Sequence, residues 1–466
     1  MRVCLLNDSF PPIIDGVANV VMNYANILTA RGHEVVVGTP KYPDVDYSKY
    51  PYKVVPYQSF DTTAYTDGYR TGVPLDMDAL GVLRDFNPDI IHVHSPMSAM
   101  YLGRNLASVC KAPLVYTYHT KYDLDIEREI KAQILQKEAI KAIVDNISMA
   151  DVVYAVSQGA GDNLCELGYK GEFMVLENGV DFPKGEVDEE TVRSVTAPFD
   201  LPSNLPVYLF VGRMVNYKGL PIIQEALEAI SDVGYDFRMV YIGGGADAQE
   251  LKDRALSAGF AVDVYTTEKD GPGHVSCLGR NSKRPGKIIF TGPIRDRDTL
   301  RAWNTRADLF LFPSTFDTNG LVVREAAACA LASVLIRQSC AAEGVQNEKN
   351  GYIIEEKASS LAALLVKLHD KKDEMHEVGI RAMEELYLSW DSSLDYVIGE
   401  YERIIKARKE GTLPARNDHG KGKLLGFALN VTTGTKNIFA GQHEGHERTL
   451  IDPSTLIYRM RSWFDE

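Results

Sequence analysis

The stretch Met1-Arg-Val-Cys-Leu-Leu-Asn-Asp-Ser-Phe-Pro-Pro-Ile-Ile-Asp-Gly16-Val-Ala-Asn-Val-Val21 passes from a short apolar run, through a loop with Pro and Gly, into a helix-period segment. Its first residues predict a β-strand. Gly16 lets the backbone approach a ligand closely, and the helix that follows offers free N–H groups to an anion. A strand-to-helix turn often needs a glycine for its shape alone, so Gly16 is consistent with a structural or a binding role.

The alternation of strand and helix continues along the chain. In the first part, β-branched runs predict strands at Val3–Asn7, Glu34–Thr39, Asp89–His94, Leu114–His119, Asp151–Ser157 and Phe173–Glu177. In the second part, strands are predicted at Val207–Val211, Arg238–Gly243, Lys287–Thr291, Leu309–Phe312, Ser333–Ile336 and Tyr352–Glu355. Such alternation is typical of parallel sheets covered by helices on both faces. The predicted fold class is α/β, with two doubly wound, Rossmann-like domains facing across a cleft at the carboxyl ends of their strands.

The predicted domain organisation follows from these two series and from a change in composition between them. At 466 residues the chain suits two domains of about 200 residues. We expect Rossmann-like domains over residues 1–182 and 206–390, joined by an acidic, Pro- and Ser-containing linker over 183–205. A helix is predicted over 391–409, followed by a tail over 410–466 to which no role is assigned. Residues 261–286 are interpreted as a polar insertion.

Composition excludes some classes of function. The net charge of −14 disfavours nucleic acid as a partner. Residues 1–182 hold 15 Lys and Arg against 23 Asp and Glu, so the first domain lacks the basic excess common in proteins that bind anionic lipids. No run of eighteen apolar residues occurs, and the six cysteines are scattered. A cytoplasmic protein with reduced thiols is expected, and peripheral contact with the inner face of the membrane stays open.

A spaced pair of carboxylates lies in Pro313-Ser-Thr-Phe-Asp317-Thr-Asn-Gly320-Leu-Val-Val-Arg-Glu325. If a helix begins at Gly320, its first free N–H groups point between the two acids. That geometry suits a nucleotide-sugar diphosphate, with one acid at the sugar, the helix end at the phosphates and the other acid at the ribose. An amphipathic helix with an acidic first turn is the competing structural interpretation.

Two cations lie five residues apart between a predicted strand and a predicted helix. Arg213 can bind diphosphate oxygens bidentately, and Lys218 adds a point charge, so together they would stabilise a departing nucleoside diphosphate. A solvated basic turn is the alternative. The glycine-rich strand exit Ile242-Gly-Gly-Gly245 could admit a base or a phosphate, although such a run is weak evidence alone.

Three histidines end predicted strands. His119 comes at the carboxyl end of its strand, where a side chain faces the cleft and can hydrogen-bond a sugar hydroxyl. His92 and His94 are alternate residues and share one face of the sheet, which favours a structural role for both.

Taken in order, these segments resemble the retaining glycosyltransferases of family 4, which have the two-domain GT-B fold. The matching stretches are Asp15-Gly16-Val, Tyr118-His119-Thr, Leu176-Glu-Asn178-Gly-Val-Asp181, Gly212-Arg213 with Lys218-Gly, Ile242-Gly-Gly-Gly245, Phe290-Thr-Gly-Pro, and Pro313-Ser with Asp317 through Glu325. They span roughly residues 1–405. The stretch His119-Thr-Lys-Tyr122 is most similar to the His-Thr-x-Tyr of bacterial diacylglycerol glucosyltransferases.

The resemblance implies transfer of a hexose from a nucleoside diphosphate donor with retention, without a metal or cofactor. UDP-glucose is the expected donor, and a diacylglycerol-type lipid, contacting the first domain near residues 126–147, is the expected acceptor of the α-glycoside. The implied catalytic residues are His119, Arg213, Lys218 and Asp317. The implied donor-binding residues are Gly16, Arg213, Lys218, Gly243, Gly244, Asp317, Asn319, Gly320, Leu321 and Glu325. The leaving phosphate would accept the proton of the acceptor hydroxyl, so stabilisation of the leaving group lowers most of the barrier.

The chain departs from the family pattern in three places. Asp317 stands where family members usually have Glu, which shortens its reach by one methylene. Asp15-Gly16 replaces a frequent pair of glycines. The Gly-x-Pro that commonly follows the second acid is missing from Ala328-Cys-Ala-Leu-Ala-Ser-Val.

Several alternatives stay open at this point. The acceptor could be a soluble sugar or polysaccharide. A metal-dependent transferase would use one of the Asp-x-Asp pairs, and a non-hydrolysing sugar-nucleotide epimerase would share the two-sheet architecture. Asp317 and the extra tail also suggest a non-catalytic subunit that binds sugar nucleotides. The oligomeric state is not predicted.

Overall fold

The opening strand and helix form as the sequence predicts. The computed structural model describes residues 1–13, 15–63, 68–129, 131–266, 274–279 and 282–413. In it, β1 spans Arg2–Leu6 and α1 spans Gly16–Ala30. The Asp15 carboxylate accepts the N–H of Ala18 and caps α1. The chain therefore turns from the carboxyl end of a buried strand into a helix whose first turn faces the same edge of the sheet.

The first sheet contains seven parallel strands. The elements of this part continue with β2 (Glu34–Pro40), β3 (Lys53–Tyr57), β4 (Ser59–Phe60), β5 (Thr71–Gly72), α2 (Met77–Phe86), β6 (Ile90–Val93), α3 (Ser98–Cys110), β7 (Leu114–Tyr118), α4 (Tyr122–Glu129), α5 (Gln133–Ile147), β8 (Val152–Ala155), α6 (Gln158–Glu166) and β9 (Met174–Val175). The strand order is β3-β2-β1-β6-β7-β8-β9, and β4 and β5 form a separate antiparallel pair. Because the central strands are buried on both faces, they are almost wholly apolar.

The second sheet has eight strands. Its elements are α7 (Glu189–Thr196), β10 (Val207–Val211), a 3₁₀ turn (Asn216–Lys218), α8 (Leu220–Asp232), β11 (Arg238–Ile242), α9 (Ala248–Ser257), β12 (Ala261–Thr266), β13 (His274–Leu278), β14 (Lys287–Gly292), α10 (Arg297–Arg306), β15 (Leu309–Phe312), α11 (Leu321–Ala328), β16 (Ser333–Ile336), a 3₁₀ turn (Cys340–Ala342), β17 (Tyr352–Ile354), α12 (Ala358–Leu368), α13 (Lys372–Glu385) and α14 (Trp390–Glu410). The order is β13-β12-β14-β11-β10-β15-β16-β17. All pairs are parallel except β12 with β13.

All the predicted strands are present, and two of the predicted irregular segments prove to be ordered. The polar insertion predicted over 261–286 was wrong for its first part, because Ala261–Thr266 pairs in parallel with β14 inside the sheet. The linker predicted over 183–205 contains helix α7, capped by Asp188. Strand β3, which was not predicted from the sequence, forms the edge of the first sheet.

The last helix returns to the first sheet. The apolar side of α14 (Trp390, Leu394, Val397, Tyr401, Ile404) packs in one core with β1 and α1. Each such buried side chain stabilises the packing by about 2 kcal/mol. The predicted helix 391–409 is therefore confirmed, and it fastens the end of the second domain to the first.

The helix α14 ends at Glu410, and the tail predicted over 410–466 lies outside the described residues from residue 414 onward. Within the described part of the chain, no helix is both long and apolar enough to cross a membrane.

Candidate active site at the carboxyl edges of the two sheets

Lys218 and Asp317 meet at the carboxyl edge of the second sheet. Lys218 ends the turn after β10, and its Nζ lies 3.4 Å from Asp317 Oδ2, in the loop after β15. The same Nζ lies 5.3 Å from the ring centroid of Phe312, so the cation is packed against an aromatic face. Both side chains are mostly shielded from solvent. The sequence separation of these residues gave no sign that they form a pair.

The carboxylate of Asp317 also organises the start of α11. Its Oδ1 accepts the N–H of Gly320 at 2.9 Å. Gly320 has a φ of 61° and is the N-cap, so the helix begins at Leu321 and not at Gly320 as predicted. The predicted phosphate contact of the Gly320 N–H is thus replaced by this internal bond, because the short Asp side chain reaches its own turn.

The next N–H groups remain open. Among residues 282–413, no carbonyl or side chain accepts from the N–H of Leu321 or Val322. The side-chain amide nitrogen of Asn319 is also buried without a hydrogen-bond partner there. A helix start with free amides beside a lysine is a site for an anion. Leu321 and Asn319, both predicted donor-binding residues, thus carry N–H groups without a partner among the described residues at this helix start.

Arg213 extends the same cationic edge. Its guanidinium is exposed and donates to the hydroxyl of Tyr217 at 3.2 Å, and the Tyr217 ring packs on Phe316 at 4.6 Å between centroids. Phe316 immediately precedes Asp317, so Arg213, Lys218 and Asp317 form one cluster. The structure thus brings together three of the four predicted catalytic residues.

The glycine-rich exit of β11 has two different roles. A Cβ on Gly243, which has a φ of 136°, would lie 2.0 Å from the carbonyl oxygen of Gly212. Gly243 is therefore required for close packing of two backbone segments. Gly244 has no neighbour within 4 Å of such a Cβ, so its side faces open space and can accommodate a ligand.

Glu325 is held by a cation that was not predicted from the sequence. Its Oε1 accepts from Arg297 at 2.6 Å, and the Arg297 guanidinium lies 4.4 Å from the ring centroid of Phe182. Burial raises the pKa of the Glu325 carboxyl, although Arg297 opposes the shift. Arg297 follows β14 in Arg295-Asp-Arg297, and a basic pair after a strand is the signal that could have indicated it.

His119 reaches the cluster from the first domain. Its carbonyl accepts the hydroxyl of Thr318 at 2.6 Å, and Ser157 donates to the Thr318 carbonyl at 2.6 Å. The turn that carries Asp317 is therefore bonded to the carboxyl edge of the first sheet. Burial lowers the pKa of His119 to about 3, which makes it a neutral hydrogen-bonding group.

Further contacts join the two domains on one side of this turn. The Glu343 carboxylate accepts the N–H groups of Gln158 at 2.8 Å and Gly159 at 2.6 Å, at the start of α6. Arg324 pairs with Glu177 nearby. These contacts join the segments after β8 and β9 of the first sheet to α11 and to the segment after β16 of the second sheet.

Gly16 lies at the start of α1, at the carboxyl edge of the first sheet. A Cβ there would meet no atom within 4 Å, so this glycine is not required for packing. Its neighbour Asp15 accepts from the hydroxyl of Tyr69 at 2.9 Å. Burial and Asp15 raise the pKa of Tyr69, whereas the charge of Arg213 opposes the shift, which places Arg213 within electrostatic range of the first domain.

Two of the Asp-x-Asp pairs contain an aspartate that caps a helix. Asp76 caps α2 through the N–H groups of Asp78 and Ala79, and Asp296 caps α10 through the N–H of Thr299. No group of three His, Cys, Asp or Glu side chains suited to a metal occurs within the described ranges. His92 and His94 are fully buried and hydrogen-bond to other protein groups.

Comparisons with known proteins agree with this architecture. Residues 14–183 match the family model Glycosyltransferase Family 4, and residues 205–371 match Glycosyl transferases group 1. An alpha-monoglucosyldiacylglycerol synthase of Streptococcus pneumoniae is 25% identical over 336 residues, which are 70% of this chain and 69% of the relative. A GDP-mannose-dependent alpha-mannosyltransferase of Corynebacterium glutamicum is 25% identical over 76% of this chain and 77% of its own length.

A solved structure shows the same fold. Anabaena HepE in complex with UDP and glucose superimposes with a TM-score of 0.64 at 17% identity, over 86% of this chain and 99% of that chain. The predicted fold class is thereby confirmed. With both halves of the chain matched to transferase families and both sheets in the GT-B arrangement, the chain is a glycosyltransferase of the family 4 type.

Proposed function

We propose that the protein transfers glucose from UDP-glucose to a hydroxyl of a diacylglycerol-type lipid, with retention and without a metal ion. One observation carries the donor part of this proposal. Lys218, Arg213 and the free amides at the start of α11 converge where the turn of Thr318 meets His119 of the other domain. A diphosphate requires such a convergence of fixed cations and amides.

The residues of the cluster divide the work of stabilising the leaving group. Lys218 and Arg213 neutralise the diphosphate as the glycosidic bond breaks, and the N–H of Leu321 donates to one of its oxygens. Charge-assisted contacts of this kind amount together to about 5 kcal/mol, or roughly 5 × 10³-fold in rate. Because these cations can take the role of a divalent metal, the proposed reaction needs none.

The sugar is proposed to lie between His119 and the loop of Asp317. His119 hydrogen-bonds a sugar oxygen, and the leaving phosphate, on the same face of the sugar as the incoming hydroxyl, accepts the proton of that hydroxyl. Glu325 is proposed to bind the ribose through the carboxyl oxygen that Arg297 does not hold. Gly16 and Gly244 leave room for the donor, since a Cβ at either position would have no neighbour within 4 Å.

The lipid acceptor is supported by a surface on the first domain. Ile134 and Leu135, at the start of α5, are 77% and 53% exposed. Lys131, Lys137 and Lys141 are exposed on the same segment. Apolar side chains flanked by lysines suit contact with a bilayer of anionic lipids. The Streptococcus relative named as a glucosyldiacylglycerol synthase points to the same class of acceptor.

Turnover by the purified protein tests the proposal. The protein is incubated with UDP-glucose, GDP-mannose or ADP-glucose, with or without vesicles containing diacylglycerol, and in EDTA. We expect UDP release and an α-glucosyl lipid by mass spectrometry, with no loss in EDTA. Transfer of glucose to a soluble sugar instead of the lipid would contradict only the proposed acceptor. Turnover of no donor would contradict the proposal that the protein is an enzyme.

A second candidate function is a sugar-nucleotide-binding subunit without catalysis. It is favoured by Asp317, whose two oxygens are engaged by Lys218 and by the N–H groups of its own turn. Asp317→Glu separates the two candidates, because a longer side chain can leave that turn and reach the sugar. An active parent whose turnover rises in Asp317→Glu supports the transferase. An inactive parent that binds UDP through Lys218 supports the subunit.

A further inference from the structure

His94 is a fully buried residue that contacts the ring of His119. It follows β6, and its Nδ1 lies 3.0 Å from Nε2 of His119. The two rings stack with centroids 5.3 Å apart, and the His92 ring lies 4.0 Å from that of His94. The ring of Tyr24 packs against His94 at a steep angle. His94 is thus held in one orientation by three neighbouring rings.

Both histidines of the pair are neutral at physiological pH. Burial lowers the pKa of His119 to about 3, and burial together with the neighbouring histidines lowers the pKa of His94 well below its ordinary value. A bond between two neutral imidazoles needs one N–H and one bare nitrogen. One ring therefore donates, and its proton position decides that of the other ring.

The surroundings of His94 decide which ring donates. Its Nε2 is buried and has no hydrogen-bond partner among the described residues. A proton there would be an orphaned N–H, which folded proteins rarely bury. The proton of His94 therefore lies on Nδ1 and is donated to Nε2 of His119. His119 must then carry its own proton on Nδ1.

We propose that His94 is a positioning residue that fixes His119 as a hydrogen-bond donor through Nδ1. The ligand group that His119 recognises is therefore a hydrogen-bond acceptor, an oxygen of the sugar. It is not a hydroxyl that donates its proton to His119. The backbone of His119 is fixed as well, by Thr318. This inference rests on the proposed sugar contact of His119.

Nitrogen-15 NMR of the full chain with labelled histidine tests the tautomer without any need for activity. We expect the His119 signals, identified by their loss in His119→Gln, to show a protonated Nδ1 and a bare Nε2 from pH 6 to 8. A protonated Nε2 would overturn the inference. A protonated Nδ1 in a protein that turns over no donor would support the tautomer that His94 imposes and would refute the proposed function, including the sugar contact of His119.

Substitutions of His94 test its effect on the reaction. His94→Phe should lower kcat by about 5- to 10-fold with little change in KM for the donor, and His119 should shift toward the ordinary Nε2–H tautomer. His94→Asn keeps a donor near the Nδ1 position and should restore most of kcat. His376→Gln, on the exposed face of α13, is the control. Equal activity in His94→Phe and the parent would overturn the positioning role, and if His94→Phe does not fold, the comparison of His94→Asn with the parent decides.

Discussion

At the scale of single residues, the site is built from charges that are already partly satisfied. Lys218 is paired with Asp317, and Glu325 with Arg297. A donor diphosphate has to compete with Asp317 for Lys218, so its binding depends on contributing more negative charge than the carboxylate it displaces. Each pair joins residues far apart in sequence, which explains why the sequence indicated the charged residues but not their partners.

Replacing Lys218 should remove much of the stabilisation of the leaving group. We expect Lys218→Met to lower kcat/KM for the donor by about 10- to 100-fold, since one charge-assisted contact is worth about 1.5–3 kcal/mol. Steady-state kinetics of donor turnover measures this loss. Lys406→Met, on a lysine that is 76% exposed in α14, is the matched control. Equal kinetics for the two variants would contradict the role of Lys218.

At the scale of elements, the strands with continuous apolar runs were predictable, whereas β3 and β12 were not. Val207–Val211 is buried in the middle of a sheet and matches its predicted bounds. By contrast, β3 contains Pro56, and β12 contains Asp263, and both lie near sheet edges. Strands at or beside a sheet edge can accommodate proline and polar residues, so the sequences of β3 and β12 lack the apolar pattern that identifies a strand.

Two glycines at helix starts should respond differently to alanine. Gly320→Ala places a Cβ 3.1 Å from Ala341 on a backbone with a φ of 61°. It should destabilise the protein by about 1–2 kcal/mol. Gly16→Ala meets no atom and should leave the stability unchanged while weakening donor binding. Thermal unfolding and calorimetry of UDP binding measure the two effects. Equal destabilisation by both substitutions would refute the distinction.

The exposed start of α5 should attach the protein to vesicles. We expect the double variant Ile134→Ser with Leu135→Ser to reduce sedimentation with phosphatidylglycerol vesicles by at least about 10-fold. The reason is that two apolar side chains are then missing that would otherwise move from water into the bilayer. Val233→Ser, at a residue of the other domain that is 69% exposed, is the control. A similar loss in the control, or none in the double variant, would argue against α5 as the lipid surface.

At the scale of the whole molecule, the chain crosses between its domains twice. The buried histidines lie where α14 packs back onto the first domain. Tyr401 of α14 approaches His92 at 2.5 Å, and His94 continues the contact to His119. Sequence order predicted two sheets and a final helix. The joining of that helix to the histidines depends on tertiary packing and could not be predicted from local pattern.

This arrangement predicts a dependence of stability on pH. Burial is the main cause that lowers the pKa of His92, His94 and His119. As the pH falls below the ordinary histidine pKa, the unfolded chain binds protons at these residues that the folded protein does not bind, so the folded state loses stability. From pH 7.5 to 5.5, the free energy of unfolding should fall by about 1.4 kcal/mol for each of them. Urea unfolding followed by tryptophan fluorescence measures it. His119→Gln should remove about a third of the drop, and a flat profile would contradict neutral buried histidines.

Binding of the donor pyrophosphate at the cationic edge of the second sheet is the central claim, on which the assignments of donor and sugar contacts depend. A crystal structure of the protein with UDP tests it most directly. We predict diphosphate oxygens within hydrogen-bonding distance of Lys218 Nζ, the Arg213 guanidinium and the N–H of Leu321, with Lys218 drawn away from Asp317. UDP bound elsewhere, with the pair of Lys218 and Asp317 intact, would contradict this claim.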